Sequence, residues 1–361
     1  MTTPEVIAAL QSWMATVLQP VPTPPGMTSR EIVRRAIEFD QPARIPYSFL
    51  MPARSDFFEL AALASEVKSR DLDVTSRRAG DIYRDEWGVR QRTTGYSWDQ
   101  IVDHPLKDLR DLAAYRLPDV AARQRFDWLA PFIQRAREAG KYVVAADPVL
   151  MYERLQALMG FEQLMVAPHT RRDALATLLD DLTDLTIRVI EQLARVGGVD
   201  AFMTWQDYGS QTGLHMNLNT FRTLYKPRYA RIVAAAHEAG MHFIWHTCGR
   251  VSDLIGEMAG IGVDVVQLDQ PQLLGHREMA ERFGGAICFW NTIDIQWAAS
   301  GAIAPADIRA EVVRMIESFP RSRGGLMVRH YPQPSDIGLS REFHDLSARA
   351  FLENGCGLPM S

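Results

Sequence analysis

An imidazole and a thiol stand two positions apart at His246 and Cys248, where the run His242-Phe-Ile-Trp-His246 ends just before Gly249. In an extended segment residues i and i+2 point to one face, so both side chains can close on one metal ion, and Gly249 lets the chain turn away. Nitrogen and sulfur together suit zinc, a borderline-soft ion. The plain alternative is a buried cysteine beside a hydrogen-bonded histidine, and the place of the pair in the chain weighs against it. Catalytic zinc usually has three protein ligands and one open position, so a third ligand is required. His330 is the first choice, because it follows an apolar run two residues after Val328, which is read here as inward-facing. Cys288 lies inside its apolar run and reads as a core residue. Cys356 follows the last helix and reaches the site only if the tail folds back.

The elements that must hold this pair repeat along the chain. Helix 125–139 precedes the strand Tyr142–Ala146 and Asp147; helix 170–195 precedes Ala201–Trp205 and Gln206-Asp207-Tyr208. Helix 220–239 leads to His246, helix 251–260 to Val263–Leu268 with Asp269-Gln270, and helix 276–283 to Ala286–Trp290 with Asn291 and Asp294. Helix 305–318 leads to Leu326–Arg329 with His330-Tyr331, and a last helix covers 340–353. Upstream, Thr28 and Glu31 have capping-box spacing for a helix to Phe39, followed by a strand at Ile45–Leu50, a helix over 54–69 and two short strands in 81–92. Seven strands are clear, and the eighth is expected in 70–105.

Strand and helix in alternation imply a parallel sheet covered by helices. The economical architecture is α/β, a single (β/α)8 TIM barrel over 27–361 preceded by an N-terminal arm at 1–26, which comprises a helix over 4–18 and a proline-rich linker. That arm either caps the barrel or packs on a neighbour, as in a homodimer. No glycine-rich phosphate loop follows any strand, which weighs against dinucleotide binding. In a barrel the residues just past each strand converge on one mouth, so the carboxylates, amides and imidazoles named above are the candidates for chemistry.

Thirty-nine basic against 44 acidic side chains leave a net charge of −5, with no basic surplus for nucleic acid or an anionic membrane. No apolar run approaches a membrane span, and no Lys or Arg precedes Arg30, so the start lacks the charged region of a signal peptide. Three cysteines do not make a disulfide framework, and a cytoplasmic location is expected.

The run Trp205-Gln206-Asp207-Tyr208-Gly209-Ser210-Gln211-Thr212-Gly213, then Tyr225-Lys226-Pro227, His246-Thr-Cys-Gly249 and Gly262-Val-Asp264, resembles the uroporphyrinogen decarboxylase-like superfamily. More narrowly it is similar to the cobalamin-dependent methyltransferase branch. The likeness begins at Arg30-Glu31 and Arg44-Ile-Pro46 and runs through Asp85-Glu-Trp-Gly88 and His104-Pro-Leu106 to the last helix. It implies one barrel that uses zinc to move a methyl group between a small substrate and the cobalt of a corrinoid, supplied by a carrier protein. The branch's His-x-Cys-Gly motif gives zinc ligands at His246 and Cys248, and its third ligand is a cysteine near the last strand. Here that place holds Arg329-His330-Tyr331.

The resemblance further implies that Asp207 orients the substrate or handles a proton and that Tyr208 hydrogen-bonds it. Asp147, Gln206, Gln211, Asn291 and Tyr331 are the candidates to bind substrate. Were His330 to replace a thiolate, the ion would be a stronger Lewis acid and a poorer match for sulfur, which favours cleavage of a methyl–oxygen bond, an O-demethylation. Two other readings stand beside this one. A metal-independent decarboxylase of a polycarboxylic substrate would require several arginines at the mouth, for which Arg54, Arg250 and Arg329 are available. The third is a non-catalytic barrel subunit.

Overall fold

The computed structural model describes residues 14–50, 53–60, 78–96, 98–301, 303–320 and 323–357. The helix Ser29–Ile37 starts as its sequence dictates, with Thr28 Oγ1 accepting the Glu31 amide. Its Val33, Ala36 and Ile37 join the residues that fill the barrel interior, so this helix plugs one end. The strands in chain order are β1 (Tyr47–Leu50), β2 (Ala53–Ser55), β3 (Phe57–Glu59), β4 (Ile82–Arg84), β5 (Arg90–Arg92) and β6 (Gln100–Asp103). Then come β7 (Tyr142–Ala146), β8 (Ala201–Trp205), β9 (His242–His246), β10 (Val265–Leu268), β11 (Cys288–Asn291) and β12 (Leu326–Arg329).

One sheet runs β2-β1-β12-β11-β10-β9-β8-β7-β3, and every pairing in it is parallel except β1 with β2. The parallel barrel is thus the architecture found. Its eighth parallel strand is β3, not a segment of 70–105; β4, β5 and β6 instead form a separate antiparallel sheet. The expected helix over 54–69 is corrected for its first part, which is β2 and β3, and residues 61–69 lie outside the described residues. Three-residue strands are too short to display a period, which is why the pattern concealed them.

Asp56 holds the seam between β1 and β3. Its amide donates to the Tyr47 carbonyl, and its carboxylate accepts the Tyr47 amide at 2.9 Å and the Ser29 hydroxyl at 2.6 Å. Arg44 adds a two-pronged contact at 2.6 and 2.7 Å, with both side chains fully shielded from solvent. A buried charge is tolerable only with such complete pairing.

The described part of the N-terminal arm rests on its own barrel. Met14 is buried, Lys141 Nζ donates to the Gln19 carbonyl at 2.7 Å, and Arg44 Nε donates to the Pro22 carbonyl at 3.1 Å. Most of the expected helix over 4–18 lies outside the described residues.

Strand alternation sorts the core into two compartments. Val144, Met203, Ile244, Val265, Cys288, Trp290 and Met327 face the barrel interior. Val143, Phe202, Phe243, Trp245, Val266, Phe289 and Val328 face the surrounding helices. Among the described residues no helix is long and apolar enough to cross a membrane.

Candidate metal centre and its cavity

His246 shares the inward side of β9 with Ile244, two residues earlier, and Cys248 follows on the turn past the strand. Gly249 has φ +86°, and a Cβ there would lie 2.2 Å from the Gly209 carbonyl carbon. Only glycine lets the loop after β9 press so closely on the loop after β8. The two loops are tied by Arg250 N to Ser210 O at 2.7 Å, and Cys248 N donates to Asp207 Oδ1 at 2.9 Å. This contact carries Asp207 to the histidine and the cysteine: the three offer ligand atoms that all lie within 4.8 Å of one another.

The spacing suits zinc. Bonds of about 2.0–2.3 Å in a tetrahedron set nitrogen and sulfur about 3.6 Å apart, and nitrogen and oxygen about 3.4 Å apart. His246 Nε2 lies 3.7 Å from Cys248 Sγ and 3.3 Å from Asp207 Oδ1. On the far side of the ring, His246 Nδ1 is 2.5 Å from Gln267 Oε1, and Gln267 Nε2 donates to Asp269 Oδ1 at 2.8 Å. An amide oxygen can only accept, so Nδ1 carries a proton and Nε2 is the nitrogen that would bind an ion. Burial pushes the Cys248 thiol pKa up despite its neighbour His246, so a thiolate here calls for a cation beside it.

A cavity of about 190 Å³ adjoins this group, lined by Trp205, His246, Gln267, Asp269, Arg329, Tyr331, Pro332 and Gln333. Arg329 is buried, its guanidinium 4.6 Å above the Trp290 ring centroid and its Nη2 3.1 Å from Glu59. Burial, then the charges of Asp269 and Cys248, push Tyr331 up to about 12, so it remains a neutral phenol that can donate. On the other side of Asp207, Glu153 Oε1 accepts the Asp207 amide at 2.9 Å. Burial and the Asp207 charge raise Glu153 to about 7.

The structure brings His246, Cys248, Asp207 and Tyr331 together and removes several other candidates. Val328 faces the helices, so His330 does too, and it is not a metal ligand: its Nε2 is 3.1 Å from Ser347 Oγ and its ring lies between Phe49 and His344. Tyr208 is fully buried, stacked 4.2 Å from Tyr152 with its hydroxyl 2.9 Å from that of Tyr229, and does not reach a substrate.

Asp147 and Gln206 also lie on the helix side. Asp147 accepts the Val149 amide and the Thr204 hydroxyl, both at 2.8 Å. Gln206 Oε1 accepts the Tyr152 amide at 2.6 Å, capping the helix Met151–Met159, whose own N-cap Leu150 has no side chain to do so. Asn291 is fully buried on that side as well, and Gln211 sits exposed on the turn after β8. Gln267, Arg329 and Glu153 were not among the site residues that the sequence reading named for methyl transfer, Arg329 having entered it only as an arginine available to a polycarboxylic substrate. The signal for the first two was alternation counted back from His246 and across to the neighbouring strands; Glu153, on a helix, left none.

Residues 99–325 match the protein family described as Uroporphyrinogen decarboxylase (URO-D). A uroporphyrinogen decarboxylase of Geobacillus sp. (strain WCH70) is 30% identical over 143 residues, 39% of this chain and 36% of that protein. Another, of Geobacillus kaustophilus (strain HTA426), is 29% identical over 186 residues, 51% of this chain and 47% of that protein. The chain therefore spans less than half the length of each. Among solved structures, a methyltransferase from Methanosarcina mazei has the same fold, with a TM-score of 0.65 at 15% identity over 91% of this chain and 99% of that one.

Proposed function

The chain belongs to the uroporphyrinogen decarboxylase family, and from that premise we propose that it is a zinc-dependent methyltransferase, moving a methyl group between a small substrate and the cobalt of a corrinoid. The observation that carries this reading is the His246, Cys248 and Asp207 donor set, whose 3.7 and 3.3 Å spacings match a tetrahedral zinc. These three residues would hold the ion, with Asp207 in the role that the sequence assigned to His330. When bound, zinc supplies a Lewis acid for the heteroatom that parts with its methyl group. The preference for a methyl–oxygen bond that rested on His330 falls with that residue; one carboxylate in place of a second thiolate makes the donor set harder and argues for oxygen on its own account.

The protein's own groups prepare the remainder. Gln267, held by Asp269, fixes the His246 tautomer. Tyr331 keeps its proton and can hydrogen-bond the substrate heteroatom at the cavity wall. Glu153, near 7, can hold a proton beside the Asp207 backbone and release it as the heteroatom regains one. A cavity of about 190 Å³ is far too small for a corrinoid macrocycle, so the corrinoid is read as a co-substrate presented at the mouth by a carrier protein.

Metal analysis and methyl exchange with a reduced corrinoid test the proposal. One zinc per chain, lost in Cys248→Ala while the circular dichroism is kept, and metal-dependent methylation of cobalt are the expected results. Full zinc occupancy in that variant, or decarboxylation of a porphyrinogen without metal and no reaction with any corrinoid, would reverse the reading in favour of the activity named for the curated relatives. A chain with neither activity would be the non-catalytic subunit.

A further inference from the structure

We propose that Arg329 reads a carboxylate on the substrate, so that the methyl donor is a small monocarboxylic acid with its charged end at this guanidinium and its methylated end at His246 and Cys248. This rests on the methyl-transfer reading and extends it to a substrate class. Arg329 is the inward residue at the end of β12, 6% exposed, and it lines the same cavity as His246. The Arg329 guanidinium carbon sits over the Trp290 ring, 4.6 Å from the centroid. Glu59 takes Nη2 at 3.1 Å, and Nε has only the His330 carbonyl, at 3.5 Å. Among the described residues Nη1 has no hydrogen-bond partner.

A guanidinium carries five N–H donors in a rigid fork, and those of Arg329 not taken by Glu59 and the His330 carbonyl are available to a group in the cavity. A carboxylate matches that fork with two parallel charge-assisted bonds; a neutral carboxamide offers one acceptor oxygen, and an ammonium is repelled. An ammonium would have Asp269 as its partner in the cavity, but it would share that space with the Arg329 cation. Size is compatible: a cavity of about 150 Å³ accepts a benzene ring, so about 190 Å³ accepts a ring-sized acid.

The test is calorimetric titration of the zinc-loaded protein with 3-methoxybenzoate, 3-methoxybenzamide and 3-methoxybenzylammonium, which share a frame and differ in charge. The carboxylate is expected to bind at least tenfold more tightly than either of the others. Arg329→Met should weaken it by about 100-fold and the amide by far less, and Arg329→Lys should recover part of the loss. Where Arg329→Met alone fails to fold because Glu59 is left unpaired, the double variant with Glu59→Gln serves in its place. Equal binding of acid and amide, tighter binding of the ammonium, or carboxylate binding indifferent to Arg329 overturns the proposal. Arg329-dependent binding of the acid without methyl transfer to a reduced corrinoid would leave this inference standing and remove the methyltransferase reading. Methyl transfer from the neutral amide as efficient as from the acid would do the opposite.

Discussion

Gln267 Oε1 lies 2.5 Å from His246 Nδ1, and the amide of the same glutamine is tethered to Asp269, so the imidazole is oriented from behind. Outer partners of this kind typically account for 10- to 100-fold in metal affinity. Gln267→Leu should therefore weaken zinc binding by about that factor, read by competition with a chromophoric chelator, while the far-ultraviolet spectrum stays the same. Unchanged affinity would show that the ring is held by packing alone.

Gly249→Ala tests the contact between the two loops. The new methyl group would lie 2.2 Å from the Gly209 carbonyl carbon, at a φ of +86° that alanine resists. Backbone cannot yield as a flexible side chain does, so the loops must part, and a loss of about 3 kcal/mol or more in stability is expected. Asp207 would move away with its loop. Denaturant unfolding and zinc content measured on the same preparation check both consequences.

Gln206 tests the correction to the substrate-binding candidates. Its side chain accepts the Tyr152 amide at 2.6 Å and donates to Thr204 at 2.6 Å, entirely out of solvent. Gln206→Ala removes a helix cap and leaves buried groups unpaired, which costs about 1–3 kcal/mol. Stability should fall by that amount, with KM for the substrate unchanged in the folded fraction. A raised KM at unchanged stability would restore Gln206 to the site.

His330 and His344 predict an acid limit. Their rings stack 4.3 Å apart between β12 and the helix Arg341–Phe351. Burial lowers both, His330 with help from His344, and His344 falls to about 4. The unfolded chain takes up these protons near pH 6.5 and the native one resists them. Stability is therefore full above about pH 6.5 and falls toward pH 4, by up to about 1.4 kcal/mol per pH unit for each histidine. Melting temperatures from pH 7.5 to 4.5 should show the decline, and His344→Phe, which keeps a ring on the stack, should flatten it.

How far the site could be read from the sequence turns on one residue of register. The barrel, most of its strands and the His246 and Cys248 pair were legible, because apolar runs and helical periods recur and because a His-x-Cys spacing is local. The approach of Asp207 to that pair was not. Reading Val328 as inward made His330 a ligand at the mouth, whereas the structure turns His330 to the helices and Arg329 to the cavity, since a shift by one position exchanges the two faces of a strand. Asp147, Gln206 and Asn291 were misplaced likewise: each is the first polar residue past its inward neighbour, and each faces the helices. Asp207 was named, but its place beside the imidazole depends on Gly209 against Gly249, a contact between loops 40 residues apart in the chain that no local pattern announces.

The Asp56 seam sets the timetable of chain synthesis. β1 and β3 lie within 13 residues of each other and provide both edges of the parallel barrel, while β12, the partner of β1, ends only at Arg329. As the chain emerges, β7 can dock on β3 and each later strand on its predecessor, but β1 must wait with its ladder groups open until nearly the whole protein has been made. A pairing so distant in sequence is slow to form, and an open edge is where sheets join to foreign chains. A ribosome stalled before β12 therefore displays an incomplete sheet with two sticky borders, and such nascent chains are natural clients for a chaperone.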